Sequence, residues 1–359
     1  MVKGFEVIYG DIPLDKIRYG KTLALYAIGS TMTSTIPNIS IAGAMPIATL
    51  FTPALDVEYV HYGKPVTLDI IPTTPTGIPT PAIITRVSLQ LSRTPFIIVN
   101  TGSYITPKIP VIDLPSRCVG GRIDVEDALP RGTSRKLFEE ARSVGYMLGS
   151  ATDVVLVGES IPSGTTTAMA ILQGLGYNAY NLVSSSMKNN PVDLKRLVAN
   201  KAIERLKSSR DPFTVNDVAG DPLHISVAGL ALGALEAESF VILAGGTQML
   251  AAIALMKAIS PEFRQERMIL ATTRWIVMDK GREITSFIES VAPQMSIVYS
   301  YLDFSDAPFD GLRAYEEGFV KEGVGAGGTA FLAILKGIEV SDLVKAIYIE
   351  YERLIKQGG

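Results

Sequence analysis

The chain has 359 residues, of which 47% are hydrophobic and 19% charged, and its formal net charge is −3 at pH 7. This length predicts two domains, or one large α/β domain with an appendage, around a large buried core. The small negative charge gives no electrostatic basis for binding nucleic acid or an anionic membrane, so neither is expected as a partner. The single cysteine, Cys118, excludes a disulfide framework and a cysteine metal site, as is usual in a reducing compartment.

No export signal is expected in the N-terminal segment. It lacks a long apolar core and a cleavage pattern, so we expect a cytoplasmic protein. The spacing of Leu14 and Ile17 predicts a short helix, and residues 22–28 predict a strand that ends at Gly29-Ser30.

Two unusual loops are predicted in the first third of the chain. Residues 31–52 are uncharged and rich in Thr, Ser, Pro, Gly and Ala. Uncharged loops of this length are often functional or packed against a partner, and a packed meander is the alternative. Residues 71–81 contain four prolines in eleven positions and are predicted to form an extended loop that joins two subdomains or covers a cleft.

Residues 96–100 predict a further strand, stopped by Thr101-Gly102. An amphipathic helix is predicted after residues 131–135, and Thr133 or Ser134 is its expected N-cap. The helix carries apolar residues at the spacing that packs one face against a core.

The most informative stretch is 152–173. Residues 154–157 predict a buried strand, residues 158–164 a turn, and the residues from Thr165 onward a helix. The free backbone N–H groups and positive dipole end at such a helix start suit a phosphate or carboxylate. The spacing is neither a Walker loop nor a GxGxxG motif. Glu159 stands in the same turn, where it would repel an anion, so a chemical role is favoured over the alternative of a helix cap.

Residues 193–208 predict a helix with a basic face. Such a face is either simply solvated or supplies one lysine to a phosphate held at the preceding turn. The two histidines, His61 and His224, have no ligand spacing around them, so neither a metal site nor a Ser-His-Asp triad is predicted.

The pattern of strand, Gly/Thr turn and helix recurs in the second half of the chain. A single membrane span across residues 239–256 is disfavoured, because the polar turn Gly245-Gly246-Thr247-Gln248 lies at its centre. Strands are predicted at 240–244, 268–271 and 296–302, and helices at 249–259 and after the glycine-rich residues 323–329.

Strands that alternate with helices predict right-handed βαβ units. The expected fold is therefore a mostly parallel sheet with helices on both faces, a Rossmann-like three-layer α/β architecture. Ligands bind such sheets beyond the carboxyl ends of the strands. We therefore expect the glycine turns to share one rim of the sheet.

Three motifs together resemble a known enzyme family. They are GExxxxGTTTA at 158–168, GGTQMLAA at 245–252 and GVGAGGTAFLA at 323–333. Their order and spacing are similar to those of the nicotinate-nucleotide:dimethylbenzimidazole phosphoribosyltransferases, and the whole chain resembles the archaeal branch of that family. The resemblance implies the same three-layer fold, a small helical subdomain built from the chain ends, and a homodimer.

The resemblance also implies a division of the chain into three parts. Residues 1–94 would contribute to the small domain and to loops over the cleft. Residues 95–330 would form the α/β nucleotide-binding core, and residues 331–359 the C-terminal helical part.

The family moves ribose 5-phosphate from nicotinate mononucleotide to a lower-ligand base during cobalamin assembly and releases nicotinate. The implied partners are nicotinate mononucleotide and an acceptor base of the benzimidazole, phenol or purine type, with no cofactor and no metal. The leaving group is already a cationic pyridinium and needs no general acid, while a carboxylate stabilises the oxocarbenium-like sugar. The incoming base must lose an N–H proton, which requires a general base within about 2.6–3.2 Å.

By the resemblance, Glu159 matches the carboxylate that the family places beside the nucleotide. Lys201 matches the lysine that contacts the phosphate, and Thr272 and Thr273 stand where the family has an Asp-Gly pair. The other residues implied at the substrates are Gly158, Ser163, Gly164, Thr165, Thr166, Gly245, Gly246, Ser300, Gly325, Gly327 and Gly328.

The last glycine turn departs from the family pattern. Ala326 stands where the family has its general-base glutamate, so the acceptor need not be dimethylbenzimidazole. Glu322, four residues earlier, replaces that base if the loop folds differently. Two alternatives stay open: a nucleotide-binding homologue that has lost catalysis, and an unrelated α/β sugar-phosphate enzyme whose glycine turns converge.

Overall fold

A single eight-stranded sheet runs through the structure, a computed structural model that describes residues 4–43, 45–68, 74 and 77–357. The strands are β1 (Phe5–Tyr9), β2 (Thr22–Gly29), β3 (Phe96–Gly102), β4 (Val111–Asp113), β5 (Val154–Ser160), β6 (Phe240–Ala244), β7 (Met268–Thr273) and β8 (Ser296–Ser300). The described helices are α1 (Leu14–Tyr19), α2 (Thr52–Tyr62), α3 (Ala82–Ser92), α4 (Thr133–Gly149), α5 (Gly164–Leu175), α6 (Val192–Leu206), α7 (Pro212–Ala219), α8 (Pro222–Glu236), α9 (Met249–Ile259), α10 (Arg274–Val291), α11 (Asp310–Glu316), α12 (Ala326–Leu335) and α13 (Val340–Gln357). Short 3-10 helices span Met32–Thr35, Pro46–Leu50 and Gln265–Arg267.

The strands follow the order β1-β8-β7-β6-β5-β2-β3-β4. Every neighbouring pair is parallel except β1 with β8, so the predicted mostly parallel sheet is confirmed. Strands β5 and β7 are buried at every residue. Because both faces of these strands are buried, their sequences contain continuous apolar runs rather than alternating apolar and polar residues.

Alternate residues of each strand enter two separate cores. Along β2, Leu25 and Ala27 pack against the face covered by α4 to α10. Ala24 and Tyr26 pack against the opposite face, which is covered mainly by α2, α3, α12 and α13. The sheet is therefore the middle of three layers, as predicted.

Helices from the two ends of the chain meet on the second face. Glu350 of α13 accepts hydrogen bonds from the Tyr59 hydroxyl of α2 at 2.8 Å and from Arg86 Nε of α3 at 3.1 Å. This partly buried polar contact joins helices from the two ends of the chain. Strands β1 and β2 place part of residues 1–94 in the sheet itself, and the division at residues 94 and 330 stays a prediction.

Strand β5 is longer than predicted. It continues through Gly158 and Glu159 to Ser160, and Glu159 pairs with Ala27 of β2. The expectation that Glu159 lies in the turn is therefore wrong. The reason is that the parallel ladder with β2 extends beyond the apolar run, which local composition does not reveal.

The start of α4 is also different from the prediction. The N-cap is Gly132, in the left-handed region at φ 83°, and neither Thr133 nor Ser134 caps the helix with its side chain. Instead, the Asp217 carboxylate accepts the N–H of Gly132 at 2.6 Å and the N–H of Ser134 at 2.8 Å. A carboxylate from a distant segment thus serves the positive end of the helix dipole.

The uncharged stretch 31–52 is packed by its own hydroxyl groups. Ser30 Oγ donates to the Leu50 carbonyl at 2.8 Å, and Thr49 Oγ1 donates to Ser34 Oγ at 2.7 Å. Of the predicted proline-rich loop, residues 71–73, 75 and 76 lie outside the described residues.

Residues 239–256 divide into β6, a turn and the start of α9, as predicted. No helix in the described part of the chain combines the length and the apolar character needed to cross a membrane.

Helices α4 and α8 approach each other closely through glycines, which gives a stability prediction. A Cβ atom at Gly145 would lie 2.2 Å from the Leu230 carbonyl oxygen, so Gly145→Ala must push the helices apart. We expect a loss of about 2 kcal/mol in the free energy of unfolding, although alanine favours a helix over glycine by about 1 kcal/mol. Urea unfolding of the variant and the wild type measures this loss in the free energy of unfolding. Ser143→Ala, on the exposed side of α4, is the matched control and should change stability by less than about 0.5 kcal/mol. Equal stability of Gly145→Ala and the control would contradict the close packing.

Candidate active site

A cavity of about 140 Å³ opens at the carboxyl ends of the central strands. This is the position at which parallel sheets bind their ligands, because the connections to the following helices gather there. Its walls come from α2, from the carboxyl end of β5, from the start of α5, and from loops of both halves of the chain. The lining residues are 39–42, Thr52, Asp56, Thr74, 78–81, 159–165, Ser185, Ser186, Gln248, Val320 and 322–324.

The turn between β5 and α5 exposes a helix start to the cavity. Ser163 is the N-cap of α5 and has a left-handed backbone, with φ 64°, which is uncommon for a residue other than glycine. Its hydroxyl oxygen is buried, and within the described part of the structure it has no hydrogen-bond partner. The Thr166 hydroxyl, in the first turn of the helix, is likewise buried and has no hydrogen-bond partner among the described residues. Unused polar groups beside the positive end of a helix favour an anionic ligand.

Glu159 lies beside this turn and is only 1% exposed. Its Oε1 atom is buried, and no hydrogen-bond partner for it occurs among the described residues. Burial raises the pKa of Glu159 well above its usual range, and the nearby carboxylates Glu322 and Asp56 raise it further, against a hydrogen bond from Gln248. A cation that enters the cavity beside Glu159 would favour the ionised carboxyl group and so oppose this upward shift of the pKa.

Glu322 is held by a strained loop. Val320 and Val324 have left-handed backbones, with φ 61° and φ 52°, and such conformations are rare for β-branched residues. The Glu322 carboxylate accepts the N–H of Thr273 at 3.0 Å and the N–H of Gly327 at 3.1 Å. It also accepts the N–H of Gly323 and the Thr272 hydroxyl, both at 3.2 Å.

These contacts make Glu322 a cap for the starts of α10 and α12. Burial raises the pKa of Glu322 to about 7, although the hydrogen bonds from Gly327, Gly323, Thr272 and Thr273 act in the opposite direction. The predicted base residue therefore reaches the cavity, but its two oxygens are already engaged by the protein.

Asp56 is a third buried carboxylate at the cavity. Its Oδ1 accepts the Thr80 hydroxyl at 2.7 Å, and its Oδ2 accepts the Ser160 hydroxyl at 2.9 Å. Burial raises the pKa of Asp56 to about 6, against these two hydrogen bonds. No lysine, arginine or histidine is among the described lining residues. The cavity thus favours a ligand that carries positive charge or N–H donors.

A buried lysine stands behind the start of α5. Lys195 of α6 donates from Nζ to Thr165 Oγ1 at 2.9 Å and to the Ser184 carbonyl at 2.6 Å. Burial lowers the pKa of Lys195 to about 7, and Lys321 and Lys280 lower it further, against the attraction of Asp279. A cation next to a helix N-terminus is unfavourable on its own, so the arrangement favours an anion at this point.

The predicted convergence of the three glycine turns is confirmed. A Cβ atom at Gly158 would lie 3.3 Å from the Cα of Gly325, and one at Gly245 would lie 3.5 Å from Glu159 Oε1. A Cβ atom at Gly246 would lie 3.4 Å from the Glu322 side chain. One rim of the sheet therefore carries the end of β5, the turn after β6, the residues before α12 and both predicted glutamates.

Several predicted site residues lie behind the cavity rather than in its wall. Thr272 and Thr273 end β7 and hold Glu322. Ser300 is buried at the end of β8, beside the Thr272 carbonyl. Gly327 and Gly328 allow α12 to pack on the ends of β6 and β7, since a Cβ atom at Gly327 would lie 2.1 Å from the Thr272 carbonyl carbon.

The structure brings Lys195 rather than Lys201 to the start of α5. Lys201 is exposed on α6 and is not among the lining residues, nor does it contact Thr165. The sequence did contain a signal, because Lys195 shares the buried face of α6 with Val198, Ala199, Ala202 and Leu206. A lysine on the apolar face of a helix is the one that points inward.

Asp56 was also missed by the sequence analysis. It ends an uncharged stretch that begins at Thr22, and it lies on a helix whose buried face includes acidic residues. An isolated buried carboxylate in such a segment is a signal for a functional group. In the described part of the chain, no group of three or more His, Cys, Asp or Glu side chains is placed to hold a metal ion.

Comparisons with known proteins identify the family to which the chain belongs. The family model described as phosphoribosyltransferase matches residues 93–273. The UPF0284 protein of Aeropyrum pernix is 47% identical over 95% of this chain and 94% of its own length. The UPF0284 protein of Sulfolobus acidocaldarius is 44% identical over 98% of this chain and 99% of its own.

Solved structures share the fold at low sequence identity. CobT from Thermus thermophilus has a TM-score of 0.58 and 14% identity, and the match covers 92% of each chain. A nicotinate-nucleotide-dimethylbenzimidazole phosphoribosyltransferase structure from the same organism has a TM-score of 0.56 and 12% identity, covering 92% of this chain and 83% of that one. Fold, matched model and near relatives together show that this chain belongs to the phosphoribosyltransferase family, in its archaeal UPF0284 branch.

Proposed function

We propose that the protein transfers the 5-phosphoribosyl group of nicotinate mononucleotide to a heterocyclic base in cobamide nucleotide-loop assembly. The observation that carries the proposal is the buried Glu159 carboxyl group, whose Oε1 has no partner among the described residues. It lies between the start of α5 and a cavity whose described lining residues include no lysine, arginine or histidine. A nucleotide with an anionic phosphate and a cationic pyridinium matches both features.

The phosphate would occupy the start of α5. The Ser163 and Thr166 hydroxyls and the nearby Lys195 ammonium supply donors and positive charge there, beside the positive end of the helix. Binding of the phosphate would in turn offset the mutual repulsion of Lys195 and Lys321. Because Glu159 and the start of α5 line the same cavity, a nucleotide whose phosphate lies at the helix start could bring its sugar C1′ to Glu159.

The pyridinium would lie against Glu159 and favour the ionised carboxyl group. Since the leaving nitrogen is already cationic, breaking the C1′–N bond returns the electron pair to the ring and releases neutral pyridine nitrogen. The positive charge that develops on the sugar is stabilised by the Glu159 carboxylate. No acid is needed on the leaving-group side.

The competing function is nucleotide binding without turnover, favoured by Ala326 at the position of the family's general base. Calorimetry with nicotinate mononucleotide, together with chromatographic assay of nicotinate, separates the two functions. We expect nicotinate release that requires the protein and one acceptor from a panel of benzimidazoles, phenols and purines. Tight binding with no release for any acceptor would support the competing function, and no binding at all would contradict both.

A further inference from the structure

Asp56 lies where isoleucine and proline residues contribute to the cavity wall. Its partner Thr80 belongs to the segment Ile78-Pro79-Thr80-Pro81, which lines the cavity. One helical turn before Asp56, Thr52 donates to the Ala42 carbonyl at 2.7 Å and so holds the lining segment 39–42 against α2. Walls of Ile and Pro side chains around one carboxylate suit a flat aromatic ring that carries a hydrogen-bond donor.

The two candidate bases differ in the groups that hold them. Glu322 accepts mainly backbone N–H groups, which can only donate, so a proton on Glu322 would face several donors. Among the described residues, Asp56 accepts from two hydroxyl groups, those of Thr80 and Ser160, one at each oxygen. A hydroxyl can rotate and accept, so both the ionised and the protonated forms of Asp56 keep their hydrogen bonds.

Each Asp56 oxygen also has room for a further partner. A carboxylate oxygen accepts about two hydrogen bonds, and each Asp56 oxygen uses one. Glu322 Oε2 already accepts from Thr272 and Thr273. An incoming N–H group therefore finds a vacant acceptor position at Asp56 and a filled one at Glu322.

We propose that Asp56, rather than the fully engaged Glu322, is the general base that takes the proton from an N–H heterocyclic acceptor. The inference rests on the proposed function and adds the identity of the base and the class of acceptor. Asp56 contacts the acceptor itself and is in this sense a catalytic residue.

The bonds and protons of the step balance. The unprotonated ring nitrogen of the acceptor forms a bond to C1′ as the bond from C1′ to the pyridinium nitrogen breaks, and that electron pair stays with nicotinate. The second ring nitrogen of the acceptor loses its proton to an Asp56 oxygen. The product is a neutral N-ribosyl heterocycle, and Asp56 returns the proton to water after release.

The test uses the full-length protein, nicotinate mononucleotide and a series of benzimidazoles whose N–H groups become progressively more acidic. We expect Asp56→Asn to lower kcat for benzimidazole by about 10²–10⁴-fold and to leave the KM for nicotinate mononucleotide unchanged. The loss in kcat should become smaller as the acceptor becomes more acidic, because removal of a more acidic N–H proton depends less on a general base. A purely structural role would give the same loss for every acceptor.

Glu58→Gln is the matched control. Glu58 lies two residues further along α2 and accepts the N–H groups of Val66, Thr67 and Lys108 outside the cavity. The folded Glu58→Gln protein should retain the wild-type kcat. If Asp56→Asn does not fold, Thr80→Val provides the test. It keeps the Asp56 carboxylate but removes one of the two hydroxyl groups that can both donate to it and accept from it. We expect kcat to fall about tenfold, with the same dependence on the acidity of the acceptor.

The outcomes separate the inference from the function on which it rests. Wild-type protein that releases no nicotinate with any acceptor overturns the proposed function, and the inference falls with it. Wild-type turnover with an unchanged rate in Asp56→Asn, or with a loss independent of acceptor acidity, overturns the inference alone.

Discussion

Replacing Glu159 with glutamine is expected to lower kcat for phosphoribosyl transfer by about 10²–10³-fold while making the protein more stable at pH 7. The loss follows because an amide has no charge to offset the positive charge on the sugar. The gain follows because glutamine carries no charge, whereas burial of Glu159 disfavours its ionised form. Nicotinate release and urea unfolding of the same preparations measure the two effects.

The pH dependence of the stability gain has a definite sign. Burial raises the pKa of Glu159 above its unfolded value, so the folded protein retains a proton that the unfolded chain has lost. Wild-type stability therefore falls as pH rises from the ordinary carboxyl range toward the raised pKa, and glutamine removes this part of the fall. The difference in unfolding free energy between variant and wild type should be small at pH 4 and grow toward pH 8.

Glu322→Gln is the matched comparison and should change stability in the opposite direction. Its amide nitrogen would face the backbone N–H groups that now donate to the carboxylate, among them those of Thr273 and Gly327. A buried N–H group left without an acceptor costs about 1–3 kcal/mol. If both glutamine variants lose stability to the same degree, Glu159 is a structural group like Glu322. Unchanged kcat in Glu159→Gln would remove its proposed catalytic role.

The features that the sequence predicted are those set by local pattern. Apolar runs such as 154–157 and 240–244 are strands because burial in a parallel sheet on both faces demands continuous apolar residues. Their alternation with amphipathic helices then leaves few topologies. The meeting of the three glycine turns at one rim follows from this topology, without any knowledge of side-chain contacts.

The features that the sequence did not predict depend on partners distant in the chain. Glu159 belongs to β5 because the ladder with β2 continues to Ser160, which local composition does not show. Asp217 caps α4 from a segment far along the chain. The loop that carries Glu322 places valines at left-handed backbone angles against their own preference, so only its tertiary contacts specify it.

Lys195 and Lys201 show how one choice could have been made from the sequence alone. Both lie on the predicted basic helix, and the resemblance singled out Lys201. Helical periodicity instead places Lys195 on the face that carries Val198 and Ala202, which packs inward. The helical periodicity of the apolar residues therefore predicts that Lys195, which contacts Thr165, is the buried lysine.

Lys195→Met is expected to weaken binding of nicotinate mononucleotide by about 10–100-fold at pH 7. A hydrogen bond to a charged group contributes about 1.5–3 kcal/mol, and Lys195 is the ammonium placed at the start of α5. The Met side chain fills similar space without charge. Lys201→Met, on the exposed side of the same helix, should bind like wild type. Calorimetric titration measures all three proteins, and a loss in Lys201→Met but not in Lys195→Met would reverse the assignment.

Binding should also depend on pH in a way that only Lys195 explains. Burial, with Lys321 and Lys280 nearby and Asp279 opposing them, lowers the pKa of Lys195 to about 7, so above pH 7 the free protein has lost this proton. A bound phosphate favours the ammonium, and binding above pH 7 must therefore take up a proton. We expect affinity to fall by up to about tenfold per pH unit above pH 7 in wild type, and this fall to be absent in Lys195→Met. Titration in buffers of different ionisation enthalpy counts the net protons exchanged. Because ionisation of Glu159 would release a proton, the uptake by Lys195 is the difference between wild type and Lys195→Met, and no difference at pH 8 would mean that Lys195 does not meet the phosphate.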